Sequence, residues 1–549
     1  MKKNILKNYF LTNPKQVGDL FSKIYNLIKV QDNTPRCVKK YSKNDYSDIV
    51  ANYNIIPEDP CDDINRAAKI IETFISGSVN WKSTNLLYNV GAPVNTYALI
   101  ANAIALDANV YNINDGLSGN MLAAERAVVE MMADLAGIDK DKIAGLFTFG
   151  GTATNLYAMK IGLSKAIPET RTFGLYGHKI KIFITEDAHF SHIRSADWLG
   201  VGSNNVEIIS PDLHTRASLI EDAERKIKKA INDGYVIPTI IINGGTTYSH
   251  TIDTIKKFVE LRDKIVIDYK LSYKPHIHVD AVIGWAWLVF SNYNFKENPL
   301  LLDADTLNSI QSQSERISEI KLADSWGVDF HKGVGACPIN SSLFIVNKSE
   351  DLNYISRKLD PNIKTHQLAT DFSHFSPVDY TLETSRSGGS CLSALMMLQT
   401  EGLNGIRYHL SQLVCAVNKL AILFKENNST ALIHEKTFGY VLMVRLYPPK
   451  LDSSFLNKEI ENATDEVMQM IEKVNAYNKN FFSFDLKERM SRNDDFEYSF
   501  SGEFLQTKSG KNLSALKFYP TSPNFSESDV KHIYETIIKQ KAIFDDQYE

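Results

Sequence analysis

Short unbroken apolar runs, each closed by small or polar residues, recur through the middle of the chain. Residues 180–184 run into Thr185-Glu186-Asp187-Ala188-His189, and Ile240-Ile241-Ile242 runs into Asn243-Gly244-Gly245-Thr246-Thr247. Ile277-His278-Val279-Asp280 precedes a further apolar stretch over 282–290. Runs of this length predict strands buried on both faces of a parallel sheet. Between them lies helical spacing. Val128, Met131, Met132 and Leu135 share one face of a helix over 122–135, with Gly137 just beyond as its stop. Leu156, Met159, Ile161 and Leu163 pattern a second helix behind Gly150-Gly151. Strands and helices alternate to about Arg386, which predicts an α/β domain with a mainly parallel sheet.

The flanks are organised differently. Residues 1–85 carry helical patterns interrupted by Pro35, Pro57 and Pro60, and are expected to form an N-terminal helical arm. A large domain is expected over 86–386 and a smaller C-terminal α/β domain over 387–549. The smaller domain begins with a helix over 392–401 and contains a strand over 439–446 that Pro448 and Pro449 close.

Composition narrows the function classes. At 549 residues and 44% hydrophobic content, the chain is long enough for two or three domains and can fill more than one core. Net charge is −5, with 60 basic against 65 acidic residues, so no overall attraction to nucleic acid or acidic membrane is indicated. Cys37, Cys61, Cys337, Cys391 and Cys415 are scattered without a C-x-x-C pair, which argues against a disulfide framework or a metal site and suggests a reducing cytoplasm. The first residues lack a sustained apolar segment, and no later run approaches a membrane span.

The candidate chemistry sits where the runs end, because ligand-binding residues of open α/β sheets gather at the carboxyl ends of strands. His331-Lys332 closes the segment Asp324-Ser325-Trp326-Gly327-Val328-Asp329-Phe330. A lysine amine forms a Schiff base with an aldehyde when burial or neighbouring charge lowers its pKa enough to supply the neutral nucleophile. Asp280, flanked by apolar residues, is expected to be buried and to need a partner. A protonated pyridine nitrogen and a structural salt bridge both satisfy that need. In Thr148-Phe149-Gly150-Gly151-Thr152-Ala153-Thr154-Asn155 the glycines admit a phosphate close to the backbone and Thr152 adds a hydroxyl. A plain strand-to-helix turn reads the same way. His189 stands ready to stack on an aromatic ring, although a lone histidine is more often a packing residue.

Taken in order, Gly-Gly-Thr-x-x-Asn at 150–155, Ala-His at 188–189, Gly-Thr-Thr at 245–247, His-Val-Asp-Ala at 278–281 and Ala-Asp-Ser…His-Lys at 323–332 resemble the group II pyridoxal-phosphate-dependent amino-acid decarboxylases. That family includes glutamate, aromatic, histidine and some aspartate decarboxylases, and the likeness covers roughly residues 87–405. It implies an aspartate-aminotransferase-like α/β fold, pyridoxal-phosphate fold type I, with pyridoxal 5'-phosphate as cofactor. By the same resemblance, Lys332 is the Schiff-base lysine, Asp280 the partner of the pyridine nitrogen and His189 the ring-stacking histidine. Gly151 and Thr152 hold the phosphate, and Thr247 and His331 make further cofactor contacts. Arg386 and Asn89 are candidates for substrate binding, Arg386 with an interdomain ion pair as its alternative. The implied reaction is decarboxylation of an L-amino acid to its amine, by a carboxy-lyase working as a homodimer with the active site at the subunit interface.

Three departures qualify the expectation. The family's aromatic members carry a loop tyrosine two residues past Leu-Asp-Pro, and here Leu359-Asp360-Pro361 is followed by Asn362 and Ile363. Tyr354 and Tyr380 are the nearby substitutes, and His366 and His374 lie in the same polar segment. Val282 stands where a small alanine is usual under the ring. The interval from Asp280 to Lys332 is long, so residues 291–320 read as an inserted surface helix or loop. Aldehyde synthesis, carbon–carbon lyase chemistry and a catalytically inactive cofactor binder remain the alternatives.

Overall fold

In the computed structural model, the apolar runs become strands whose residues are buried almost throughout, and the polar residues that close each run lie at the strand ends. The structure describes residues 13–28, 46–58, 63–75, 78–356, 376–434, 439–492 and 496–547. Among these, the strands are β1 Leu86–Leu87, β2 Ala144–Thr148, β3 Ile182–Thr185, β4 Val206–Ile209, β5 Thr239–Asn243 and β6 His276–Asp280. They continue with β7 Ser325–Asp329, β8 Ser342–Val346, β9 Thr430–Leu432, β10 Leu442–Leu446, β11 Glu497–Gln506 and β12 Asn512–Phe518.

Seven strands form the larger sheet in the order β2-β8-β7-β6-β5-β3-β4. From β7 to β4 every pairing is parallel, and β8 runs antiparallel to both β7 and β2. Parallel neighbours need long crossovers, and helices such as Ile220–Asn232 and Ile255–Asp268 supply them. The predicted helix over 122–135 is Met121–Ala136, ended by Gly137 at φ 66°. The apolar stretch after Asp280 is a 3-10 helix, Gly284–Phe290, with every residue buried.

Five strands form the smaller sheet, in the order β1-β11-β12-β10-β9. Its first member comes from far upstream: Leu86 and Leu87 pair in parallel with Glu497 and Tyr498. A few residues later the same segment reaches the larger sheet, where Gly91 forms an antiparallel bridge with Lys332 and Gly333 N–H donates to Val90 C=O at 2.8 Å. Residues 86–91 therefore tie the smaller sheet to the backbone of the candidate lysine. A side chain at 91 is impossible without rearrangement, because a Cβ there would lie 2.5 Å from the ring of Trp81.

The helix expected over 392–401 is the first part of Gly389–Glu426, in which two helices meet at a kink where Gly402, at φ 63°, ψ 176°, leaves the helical conformation. It packs on helices Thr96–Asp107, Met121–Ala136 and Glu527–Asp545, spanning the two sheets. In the N-terminal region, helices Pro14–Leu27, Tyr46–Tyr53 and Ile64–Ile75 are described. No helix among the described residues is long and apolar enough to cross a membrane.

The segment over 291–320 departs from the expectation of a solvated decoration. Helix Ala304–Ile317 buries Thr306, Ser309, Ile310, Gln313, Ser314 and Ile317 against the 3-10 helix Gly284–Phe290 and helix Gly389–Glu426. Its polar side chains are satisfied internally: Thr306 Oγ1 donates to Asp303, Ser309 Oγ to the Asp305 carbonyl and Gln313 Nε2 to the His250 carbonyl. Small, bonded polar groups pack as core here.

Candidate active site

The carboxyl ends of β3, β5, β6 and β7 and the turn after β2 converge on one cavity. Gly151, Thr152, His189, Thr247, Asp280, His331 and Lys332 all line it, together with Val282. The convergence follows from register, since Asn243 of β5 pairs with Asp280 of β6 and brings the Gly244-Gly245 turn level with the carboxylate. Helix Gly151–Ala166 begins at the cavity wall, so its free N-terminal amides face inward. Gly151 is required by close approach: a Cβ would lie 2.6 Å from Asp329 Oδ2 and 3.0 Å from Val282 Cγ1.

Asp280 is buried and held on one side only. Its Oδ2 accepts from His192 Nε2 at 2.7 Å and from Asn155 Nδ2 at 3.1 Å. Its Oδ1 is buried without a hydrogen-bond partner among the described residues. Burial opposes the negative charge, yet the hydrogen bond and charge interaction with His192, with Lys332 beyond, more than offset it and hold the carboxyl well below the usual carboxylate range. An ionised oxygen without a donor in a cavity wall is what a protonated pyridine nitrogen would complete.

Two opposing effects act on the charge of Lys332. Burial lowers its pKa, but the ion pair with Asp329, 2.8 Å from Nζ to Oδ2, overrides burial and raises it. Asp329 is fully buried and its Oδ1 accepts from Ser342 Oγ at 2.5 Å. His331 lies beside this pair, its Nε2 3.8 Å from Asp329 Oδ2, and burial lowers its pKa.

His189 is open to the cavity on one side and packed on the other. Its ring centroid is 4.2 Å from that of Phe190 and its Nδ1 is 2.8 Å from Ser191 Oγ. Partial desolvation lowers its pKa, which favours a neutral imidazole suited to stacking.

Other candidates fall outside the cavity wall. Arg386 is buried in an ion pair with Glu125, itself bonded to Asn112 and the Phe147 amide, so the guanidinium is engaged away from the cavity. Asn89 is exposed, and its Oδ1 accepts from Lys517 Nζ at 3.2 Å. Trp285 and Trp287 are core residues with at most 1% exposure. Tyr354 packs beneath Lys165, and Tyr380 borders a separate groove with Glu125 and Arg126. The Leu359-Asp360-Pro361 segment, with Asn362, Ile363, His366 and His374, lies outside the described residues.

Sequence reasoning missed His192, Asn155, Asp329 and Lys517. His192 and Asn155 each sit one turn past a recognised residue, His189 and Gly151, and that spacing was the available signal. Lys517 had none. It is buried on β12, its Nζ 4.7 Å from the ring centroid of Tyr248 and 5.3 Å from that of Tyr519, and no carboxylate pairs with it among the described residues. Burial lowers its pKa to about 7.

Comparison with known proteins identifies the family and the fold. A family model described as the pyridoxal-dependent decarboxylase conserved domain matches residues 48–444. An acidic amino acid decarboxylase of Xenopus tropicalis is 23% identical over 68% of this chain and 66% of its own length. A tryptophan decarboxylase of Clostridium sporogenes is 24% identical over 68% of this chain and 79% of its own. The chain spans 37% to 66% of the length of the acidic amino acid decarboxylases it matches. The crystal structure of mouse CSAD superposes with a TM-score of 0.75 at 17% identity, covering 96% of this chain and 99% of that one. That likeness shows the fold, a large mostly parallel sheet with a smaller second sheet, known as fold type I.

Proposed function

We propose that this chain, which belongs to the pyridoxal-dependent decarboxylase family, releases the α-carboxylate of an L-amino acid as carbon dioxide and returns the amine. The cofactor is pyridoxal 5'-phosphate, whose ring, when bound, serves as a sink for the electrons left by the departing carboxylate. The observation that carries the reading is the conjunction of Lys332, Asp280, His189 and the Gly151-Thr152 turn in one cavity, with Asp280 Oδ1 unpartnered.

Each residue then has a role. Lys332 Nζ is the covalent anchor for the cofactor aldehyde. Asp280 Oδ1 would accept from a protonated ring nitrogen and hold its positive charge, and His189 and Val282, which also line the cavity, would border the ring. The N-terminal amides of helix Gly151–Ala166, with Thr152, receive the phosphate, and Thr247 and His331 border the ring. Lys517 anchors a substrate carboxylate. Supporting this, it is a buried cation that no carboxylate pairs with among the described residues, adjacent through Tyr248 to Thr247 and through Asn89 to the segment whose Gly91 bridges Lys332.

The same reading makes the working unit a homodimer. Helix Thr96–Asp107 leaves Tyr97, Leu99, Ile100, Ile104 and Leu106 between 48% and 62% exposed, an apolar face suited to a second copy of the chain. Sedimentation at assay concentration tests it, and an active monomer would end that part of the proposal. A cytoplasmic setting is proposed with it, supported by the free thiols of Cys337, Cys391 and Cys415, and cell fractionation tests that.

Product analysis decides the chemistry. Incubating the loaded enzyme with each of the standard amino acids and the common diamino acids should yield one amine with carbon dioxide in equal amounts. Aldehyde with ammonia and peroxide would instead identify aldehyde synthesis, and no product from any substrate would identify an inactive binder.

A further inference from the structure

The ion pair between Lys332 and Asp329 is a relationship in the cavity that the roles above leave unused. A lysine that must attack an aldehyde has no use for a third proton, yet a fully buried carboxylate lies 2.8 Å from its nitrogen. The carboxylate is fixed in place. Ser342, its register partner on β8, donates to Oδ1, and the backbone of Gly151 abuts Oδ2 so closely that no Cβ fits.

We propose that Asp329 is the proton acceptor for the Lys332 ammonium and that this carboxylate governs when the lysine can join its cofactor. The inference rests on Lys332 being the cofactor lysine. The ammonium cedes one proton to Asp329 Oδ2, and the freed lone pair forms the bond to the aldehyde carbon. The carbonyl oxygen then leaves as water, carrying one proton from the nitrogen and the one returned by Asp329. The carbon–nitrogen link keeps a single N–H and a positive charge, facing an Asp329 that is again ionised. No oxidant or further reactant enters, and charge is conserved across the step. When the amine is later displaced by substrate, the same carboxylate receives it.

Other groups face the amine and bound the effect. Asp280 also favours the ammonium, whereas His189 and His331 interact with Lys332 only when protonated, and burial lowers the pKa of both. The Tyr440 hydroxyl lies behind Gly333, 2.3 Å from where a Cβ would stand. Asp329 is the nearest of these charges, and its field is what keeps the proton on Lys332 against the cost of burial.

The test reads the lysine directly, without turnover. Full-length enzyme stripped of cofactor is pulsed with acetic anhydride across a pH series, and acetylation of Lys332 is measured on its peptide by mass spectrometry. The labelling midpoint of the wild type is expected above the ordinary lysine value of about 10.4. Asp329→Asn, which keeps the shape and removes the charge, is expected to lower the midpoint by at least one unit, giving about tenfold more labelling at pH 8. A wild-type midpoint at or below the ordinary value overturns the proposal even if the variant fails to fold, as does an Asp329→Asn curve that overlays the wild type. Borohydride reduction of the loaded enzyme separately identifies the anchoring lysine. Cofactor fixed to another lysine would defeat the assignment of Lys332, while the labelling curve bears on Asp329 alone.

Discussion

His192 Nε2 donates to Asp280 Oδ2 at 2.7 Å, and that bond determines which oxygen of Asp280 is left for the cavity. With Asn155 on the same oxygen, Oδ1 alone remains free, and the carboxylate cannot rotate without breaking both contacts.

Removing His192 should therefore weaken the cofactor site without touching the cofactor. A hydrogen bond to a charged group contributes about 1.5–3 kcal/mol, so His192→Ala is expected to lower cofactor affinity roughly tenfold to a hundredfold. His192→Gln, which keeps a donor, should recover most of it. Fluorescence titration of the stripped enzyme with pyridoxal phosphate measures both, and equal affinities for wild type and His192→Ala would contradict the role.

Asp280→Ala removes the charge itself. Activity is expected to fall by orders of magnitude, with poor retention of cofactor, because the other carboxylates lining the cavity are engaged, Asp329 with Lys332 and Asp187 with Arg216. Near-normal kcat in a cofactor-saturated Asp280→Ala enzyme would sink the assignment.

Lys332→Ala should bind pyridoxal phosphate only non-covalently. The purified, substrate-free variant is expected to lack the absorption band of the lysine-linked cofactor and to carry no cofactor after borohydride reduction and denaturation. A persistent band would place the anchor elsewhere.

Lys517 gives a pH signature. Its pKa of about 7 means the ammonium that captures a carboxylate is present below neutrality and lost as pH rises through that value. Substrate binding should accordingly weaken above pH 7, with KM rising up to about tenfold per unit while kcat changes little. Lys517→Met should show a KM raised about tenfold to a hundredfold at pH 6 and flat to pH 8. A KM profile in the variant that still tracks wild type would exclude Lys517 from substrate capture.

Much of the larger sheet was legible because a strand buried on both faces must be apolar throughout, and Ile182, Ile240, Ile241 and Val279 announce such strands. Their polar ends were equally plain, so the residues that line the cavity could be named from the chain. What was hidden depends on partners distant in sequence. Nothing local distinguishes Lys517 on β12 from a surface lysine, and only the folded chain shows it buried beside Tyr248 and Asn89. Arg386 carries the same charge whether it faces a substrate or Glu125, and the tertiary structure chose Glu125. The polar helix Ala304–Ile317 misled because polarity signals exposure only when the polar groups lack internal partners.

The contact of Trp81 with Gly91 gives the molecule an optical property. The indole rests on the residue that bridges Lys332, while Trp285, Trp287 and Trp326 are locked in the core. Trp81, and Trp285 whose Nε1 donates to the Asp329 carbonyl at 3.3 Å, therefore lie beside the candidate lysine, where a bound chromophore would take up energy they absorb. Indole fluorescence is accordingly expected to fall as cofactor binds, a gauge of occupancy readable without any added dye.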